Sequence, residues 1–591
     1  MATIAPVTPS PIAPTPAPLE QPKQPTASPG IPPTAPVEKP PAPRSEVEQK
    51  ADEILRTGDR FLWADDYDAR LDAFAQAMHE GDPQFREDLL AEIAKRDPGA
   101  FSSWLTPERI NNLTDQGRIS QVQRDAIAEG VAGAYNAGKL ASHQNINPQT
   151  GEPAGTYSVL DAWMQPSGYT DGADSQVANA RAAHEFAELF NRGSKNSTID
   201  QFRKNFGTHL IRDYVANDSA DPAMRSHSSV MAAALLNGNS NGGEITADAL
   251  NGLSDDEFKD FMRFLGSAAP LYTAEHLQNL IGSSAVALRD NLKIGDVALD
   301  DQFAGLFKQV ASVGSDSAAA QEAAVRLARL PASEPRLFDS PARANALGDL
   351  FTNHSRPILD KLTDYNTDHA GSVNDPDKKA YMQNASELGS LLKLTLYNPD
   401  MDAGKAQSLR NELVNYAAEL KEVVNKSQDG VNDAAEAEAG ADAIDRLSML
   451  LAASSDAITQ GFQDIKDKQD AQKAMVGFIA DIALAGIPLG DKAKNAVGDM
   501  LGEVFNNPDV SKALKNMSGQ VIDQATGKLT EAAKQELAKV LGEDGASMLD
   551  QQSASNALNR ALPNGVNDSL ALSQITGKAE TIATGINTWR K

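Results

Sequence analysis

From Ser45 onward, apolar residues such as Ile54, Leu55, Phe61, Leu71, Phe74 and Met78 stand over a charged background, the last three at steps of three and four. That spacing gathers them on one face of a helix, so the stretch reads as amphipathic. Phe85, Leu89, Leu90 and Ile93 predict a second helix. It stops before Asp97-Pro98, because proline pushes its predecessor out of the α region. The same periodicity predicts a helix after Thr106 and others over about 121–140, 183–191, 199–215, 230–236, 256–265 and 320–330. Leu347, Leu350, Phe351, Ile358 and Leu362 continue the pattern. Leu409, Leu413, Tyr416, Leu420 and Val423 alternate steps of four and three, the spacing of a packed helix seam. Two heptads suit a hairpin within the chain and fall short of a coiled-coil oligomer. No series of alternating β-branched residues predicts a sheet. The expected fold class is all-α, built as several helical bundles.

Punctuation divides the pattern. Proline recurs every two or three residues from Pro6 to Pro43. It removes backbone donors and fixes φ, so residues 1–45 are expected to be a disordered Pro-rich tail sampling polyproline II. Pro11-Ile-Ala-Pro14 and Pro33-Thr-Ala-Pro36 have PxxP spacing but lack a flanking base that would orient a ligand. Asn147-Pro148, Gly151, Pro153, Gly155, Pro166-Ser-Gly168 and Gly172 mark a long loop over 145–174. Residues 331–341 break the chain again, and 366–377 form a polar loop. The expected organisation is therefore the tail, helical domains over 46–145, 176–330 and 336–490, and a C-terminal helical segment over 491–591.

One short pattern occurs three times, opening on Thr106, Thr246 and Thr273, with an acid two residues on and apolar residues three apart. Threonine as N-cap with an acid in the first turn satisfies free amides and the helix dipole. The spacing between copies is irregular, which favours convergence on a capped helix over a repeat array.

Composition narrows the cores and the partners. Hydrophobic residues make up 41% of the 591 but aromatics only 5%, so the cores are built largely from Ala, Leu, Ile and Val. The formal charge of −27 comes without any basic run. That excludes a nucleic-acid partner, which needs clustered cations, and disfavours docking on an anionic membrane. Zero cysteines exclude disulfides, thiolate metal sites and cysteine nucleophiles. Such a chain also suits an oxidising space, since it has no thiol to mispair. The opening residues show neither a charged n-region nor an apolar h-region. Export by a route independent of a cleaved signal is expected, with a cytoplasmic location as the alternative.

Candidate chemistry is sparse. The histidines are His79, His143, His184, His209, His227, His276, His354 and His369, so none follows residue 369. His184 and Glu188 share a helix face, but His184-Glu-Phe-Ala-Glu188 lacks the second histidine of a zinc protease. Asp364 to Asp375 carries oxygen ligands at EF-hand positions one, three, five and twelve, with His369 where the turn needs glycine. Asn237 to Asp248 is a weaker version of the same. Ala474 to Gly490 is the most apolar stretch, shorter than a membrane span and interrupted by Asp481. P-loop, dinucleotide and nucleophile-elbow signatures are absent. No catalytic residue, cofactor or metal is assigned.

The stretch 345–490 resembles the helical carrier region of bacterial polymorphic-toxin-like secreted proteins. The resemblance is carried by Ala346-Leu-Gly-Asp-Leu-Phe351, Glu387-Leu-Gly-Ser-Leu-Leu392 and Ala474-Met-Val-Gly-Phe-Ile-Ala-Asp-Ile482 through Pro488. It implies a long helical scaffold that precedes a variable effector, though no recognisable effector follows Gly490. The expected function is a non-enzymatic helical scaffold or interaction protein, exported or translocated, that binds a protein partner or secretion machinery. The alternatives are an effector enzyme built on carboxylates, and a membrane-active toxin using 474–490.

Overall fold

The computed structural model describes residues 45–466, apart from connecting stretches of which 283–297 is the longest, and eight residues between 574 and 586. It is all-α. The helices are α1 Glu46–Arg56, α2 Tyr67–Glu80, α3 Pro83–Arg96, α4 Ala100–Ser103, α5 Pro107–Asp115 and α6 Gln121–Asn136. Then come α7 Ala173–Asn191, α8 Ser197–Leu210, α9 Pro222–Leu236, α10 Gly242–Asn251, α11 Asp255–Ala268 and α12 Ala274–Ile281. After these follow α13 Gln302–Ala311, α14 Ala318–Ser333, α15 Pro341–Asn353, α16 Ser355–Leu362, α17 Pro376–Leu396, α18 Ala403–Ser427 and α19 Ala434–Lys466.

Local chemistry decides where these helices start. Asp82, Thr106, Asp221 and Ser340 each accept a first-turn amide and are each followed by proline, whose missing N–H costs nothing there. Ser120 and Ser254 form reciprocal capping boxes with Gln123 and Glu257. Thr106 and Thr273 cap as their pattern predicts. Thr246 does not: α10 already begins at Gly242, and the buried Thr246 hydroxyl donates to the Leu236 carbonyl at 2.6 Å. The cap pattern was met there by a hydroxyl that serves a neighbouring helix end.

The expected loop over 145–174 contains a hairpin, β1 His143–Ile146 paired antiparallel with β2 Pro153–Tyr157, and a 3₁₀ turn Val159–Met164. Helix α14 runs through Pro331 instead of stopping at it. Only one ladder bond is lost so near the helix end, and a 3₁₀ turn Pro335–Phe338 takes up the chain. In α18 the buried seam is Leu409, Leu413, Tyr416, Leu420 and Val424, while Val423 is 36% exposed. The last step is four, since a helix packing on α19 and α15 follows its own 3.6-residue period.

One contiguous core joins the described parts of 46–145, 176–330 and 336–490. Between the first two, Trp163 packs on Phe101, Phe186 and Phe190, and its Nε1 donates to the Leu105 carbonyl at 2.7 Å. Tyr135 stands edge-on to Phe202 and Phe206 at 5.4 and 5.1 Å. Few aromatics are available, and they are concentrated at this junction. Arg124 is buried with them: its Nε donates to Asn111 Oδ1 at 3.2 Å and its Nη2 to the Glu188 carbonyl. Gly243 permits a close approach of two helices, because a Cβ there would lie 2.4 Å from the Gln309 carbonyl oxygen of α13. Near the C-terminus, Ile575, Ala579, Ile582 and Ile586 join the same core at helical spacing. The tail over 1–44, the apolar stretch 474–490 and the rest of 491–591 lie outside the described residues.

Candidate functional site

Helices α11, α14, α16 and α17 leave a cleft of about 1020 Å³ between them. Helical spacing supplies its walls. Glu322, Val325, Arg326 and Arg329 come from successive turns of α14, Gln383 and Glu387 from α17, and Phe258 and Lys259 from α11. Glu387 lies in its lining and is only 7% exposed. Gln383 Nε2 donates to Glu387 Oε1 at 2.7 Å, and Arg329 Nε stands 3.4 Å from Oε2. Burial pushes the Glu387 carboxyl above its usual range, against the opposing pull of Arg329, Gln383 and Lys259. Arg326 lies 4.5 Å over the Phe258 ring and donates to the Leu250 and Leu253 carbonyls, which fixes one wall to the end of α10.

A second hollow of about 460 Å³ opens on the other side of α16. Asp360 and Lys361 line both, and Leu420, Val423, Asp442 and Arg446 complete the second. Asp360 is well engaged, accepting from Tyr416 Oη at 3.1 Å and pairing with Arg356 at 3.1 Å. Sequence reading missed this site. Its one local signal is Glu387 itself, an acid set among Ala385, Leu388, Leu391 and Leu392.

A different polar cluster surrounds His209. A π-helical turn, Ile211–Val215, follows α8 and carries Asp213 and Tyr214. His209 Nδ1 faces Asp213 at 2.5 Å and Nε2 faces Asp161 at 3.3 Å, while Tyr214 donates to the other Asp161 oxygen. Burial pulls the imidazole down, but its bonds to Asp161 and Asp213 outweigh this and the pKa is pushed up to about 9. The same bond from His209 holds the Asp213 carboxyl low. With both nitrogens donating to carboxylates, the ring is a structural cation and has no lone pair to act as a base.

The residues singled out in the sequence fall elsewhere. Glu188 pairs with Arg192, and its partner in the proposed ligand pair, His184, is half-buried on α7. His227 meets Tyr272 Oη at 2.8 Å, His354 meets the Val310 carbonyl at 3.0 Å, and His276 meets Gln176 at 3.1 Å. Of the EF-hand-like segment, Asp364 is described and lies 3.9 Å from Arg446, and the rest is outside the described residues. Asn237 in the second segment donates to the Gln302 carbonyl at 2.9 Å and caps the approach of α13. Among the described residues no group of three or more His, Asp or Glu is placed to hold a metal ion. No described helix is long and apolar enough to cross a membrane.

No family model matches the chain, and no curated protein matches it. Among solved structures it is similar to an engineered protein at 14% identity, covering 82% of this chain and 98% of the other at a TM-score of 0.20. It is also similar to importin beta, at 12% identity over 87% of this chain with a TM-score of 0.18. The chain spans 57% of that protein's length. A third likeness is to the UNC-45 chaperone, at 11% identity over 91% of this chain and 77% of the other, with a TM-score of 0.13. Superpositions this loose bear on neither fold nor function.

Proposed function

We propose that this chain is a non-enzymatic helical scaffold that docks a segment of a protein partner in the cleft between α11, α14, α16 and α17. The observation that carries this is the cleft itself: an open hollow of about 1020 Å³ with walls of packed helix and an apolar floor at Phe258, Val325 and Leu330. Fixed walls spare the receptor an ordering cost on binding. A photo-crosslinking side chain in place of Gln383 in the full chain should capture a partner that the same group in place of the exposed Val122 does not. The captured protein, purified, should then bind the full chain and lose affinity to Val325→Arg. Equal capture at both positions would sink the proposal.

One observation favours a second reading, an enzyme. Glu387 is a buried carboxyl with a raised pKa beside two cations, which is the environment of an acid catalyst. Glu387→Gln separates the two, since a scaffold keeps its partner and an enzyme loses its turnover.

The scaffold is further proposed to act after export, like the carrier regions of polymorphic-toxin-like proteins. The absence of cysteine supports this. Recovery of tagged protein only in the cell fraction of its native host would count against it.

A further inference from the structure

We infer that the partner segment seats a carboxamide side chain, glutamine or asparagine, on Glu387 Oε2 and Arg329 Nε in the wall of this cleft. The inference rests on the cleft being a docking surface. Glu387 is 7% exposed, and its two oxygens are used unequally. Oε1 accepts from Gln383 Nε2 at 2.7 Å, while Oε2 has no hydrogen-bond partner among the described residues. Arg329 Nε stands 3.4 Å from Oε2 and has none either, because the two do not line up as donor and acceptor. A buried acceptor and a buried donor left unmatched side by side each cost free energy until something meets them.

The pair selects its ligand by charge and by shape. A cation brought to Oε2 faces the Arg329 guanidinium, and an anion brought to Nε faces the Glu387 carboxylate. The lining as a whole adds no bias, since it carries four acids and four bases. What fits is a neutral group that donates and accepts at once. A hydroxyl or a water does both through one oxygen. With bonds of about 2.8 Å, atoms 3.4 Å apart subtend roughly 75° at that oxygen, well short of the tetrahedral spread its two bonds prefer. A carboxamide donates from nitrogen and accepts on oxygen, side by side, so its two bonds run nearly parallel to atoms at this spacing. Gln383 already places one such donor on the other Glu387 oxygen.

Neither atom is open to solvent as the side chains stand. Entry is past Arg329, whose side chain is 40% exposed and whose other bond among the described residues is a 3.4 Å contact with Asn384. Its long stem lets the guanidinium lift and close again over the amide. The apolar floor at Phe258, Val325 and Leu330 takes the residues that flank the carboxamide.

The test uses the full chain and short fluorescent peptides of leucine and serine that differ at one central position, Gln, Met, Glu or Lys, in an anisotropy titration. The Gln peptide should bind about tenfold more tightly than its near-isostere Met, with Glu and Lys below Gln. The margin of Gln over Met should be insensitive to salt, since neither side chain carries charge. Glu387→Leu and Arg329→Met should each erase the margin and leave the affinity of the Met peptide where it was. Glu387→Gln should keep it, because Gln383 and the new amide can turn together and still present an oxygen to the ligand. Thermal midpoints check that the variants fold, and should Glu387→Leu fail to do so, Arg329→Met decides alone. If Gln binds no better than Met while Val325→Arg abolishes both, the cleft is a docking site, the pair holds water alone and the carboxamide assignment falls. If the margin survives Arg329→Met or a folded Glu387→Leu, the assignment falls too. If no peptide binds, or none responds to Val325→Arg, the docking reading falls with it.

Discussion

The ammonium of Lys578 donates to Asp445, a carboxylate 133 positions earlier that is 1% exposed on α19. Lys578 belongs to the group of Ile575, Ala579, Ile582 and Ile586, which sit in the core. Burial pushes the Asp445 carboxyl up and Lys578 pulls it back. The pair thus fixes where the end of the chain seats. Removing the half-exposed Lys578 leaves the buried Asp445 carboxylate uncompensated. Lys578→Ala is expected to cost about 1–2 kcal/mol in urea unfolding, less than for a fully buried pair because the ammonium is partly solvated. Adding Asp445→Asn should recover part of the loss. A double variant no more stable than the single one would show that Lys578 serves packing alone.

His209 gives the fold a pH dependence of known sign. Its pKa is pushed up to about 9, above the ordinary imidazole value of 6.5, so the folded state holds the proton more tightly than the unfolded chain. The contribution is complete below the unfolded value and disappears as pH rises through the folded one, amounting to about 3 kcal/mol at most. Urea midpoints at about pH 6, 8 and 10 should fall in that order, and His209→Gln should flatten the fall across this window. A wild-type profile no steeper than that of His209→Gln would refute the linkage.

Glu387 works in the opposite direction for the protein. Its raised pKa means that ionisation costs stability, a cost absent below the unfolded pKa and growing until the folded one is passed. Glu387→Gln is therefore expected to raise the thermal midpoint near neutral pH, since the amide keeps the shape without the buried charge. A clear drop would mean that the Arg329 pair outweighs desolvation. A residue that lowers stability where a hydrophobic floor would suffice is characteristic of a working site.

At Gly243 two helices come too close to admit a side chain. The Gln309 carbonyl and the Val313 methyl both stand 2.4 Å from where a Cβ would be. The carbonyl is backbone and cannot rotate away, so Gly243→Ala must displace the end of α13 from α10. A loss of about 1–3 kcal/mol is expected by thermal or urea unfolding. An unchanged midpoint would mean that the helix ends slide freely.

Before any folding, the sequence determined the helices, their starts at Asp82, Thr106, Ser120 and Ser254, and the acidic, cysteine-free surface. Capping and amphipathic spacing are local, so they can be read from neighbours within a few residues. Thr246 shows the limit of that reading, because its hydroxyl answers to a carbonyl on another helix. The tertiary structure alone decided that the helical stretches share one core, that the end of the chain returns to Asp445, and that Glu387, Arg329, Lys259 and Lys361 meet around one cleft. Those partners come from three or four helices far apart in the chain. Each is an ordinary charged residue in its own segment, and only packing gives it a neighbour.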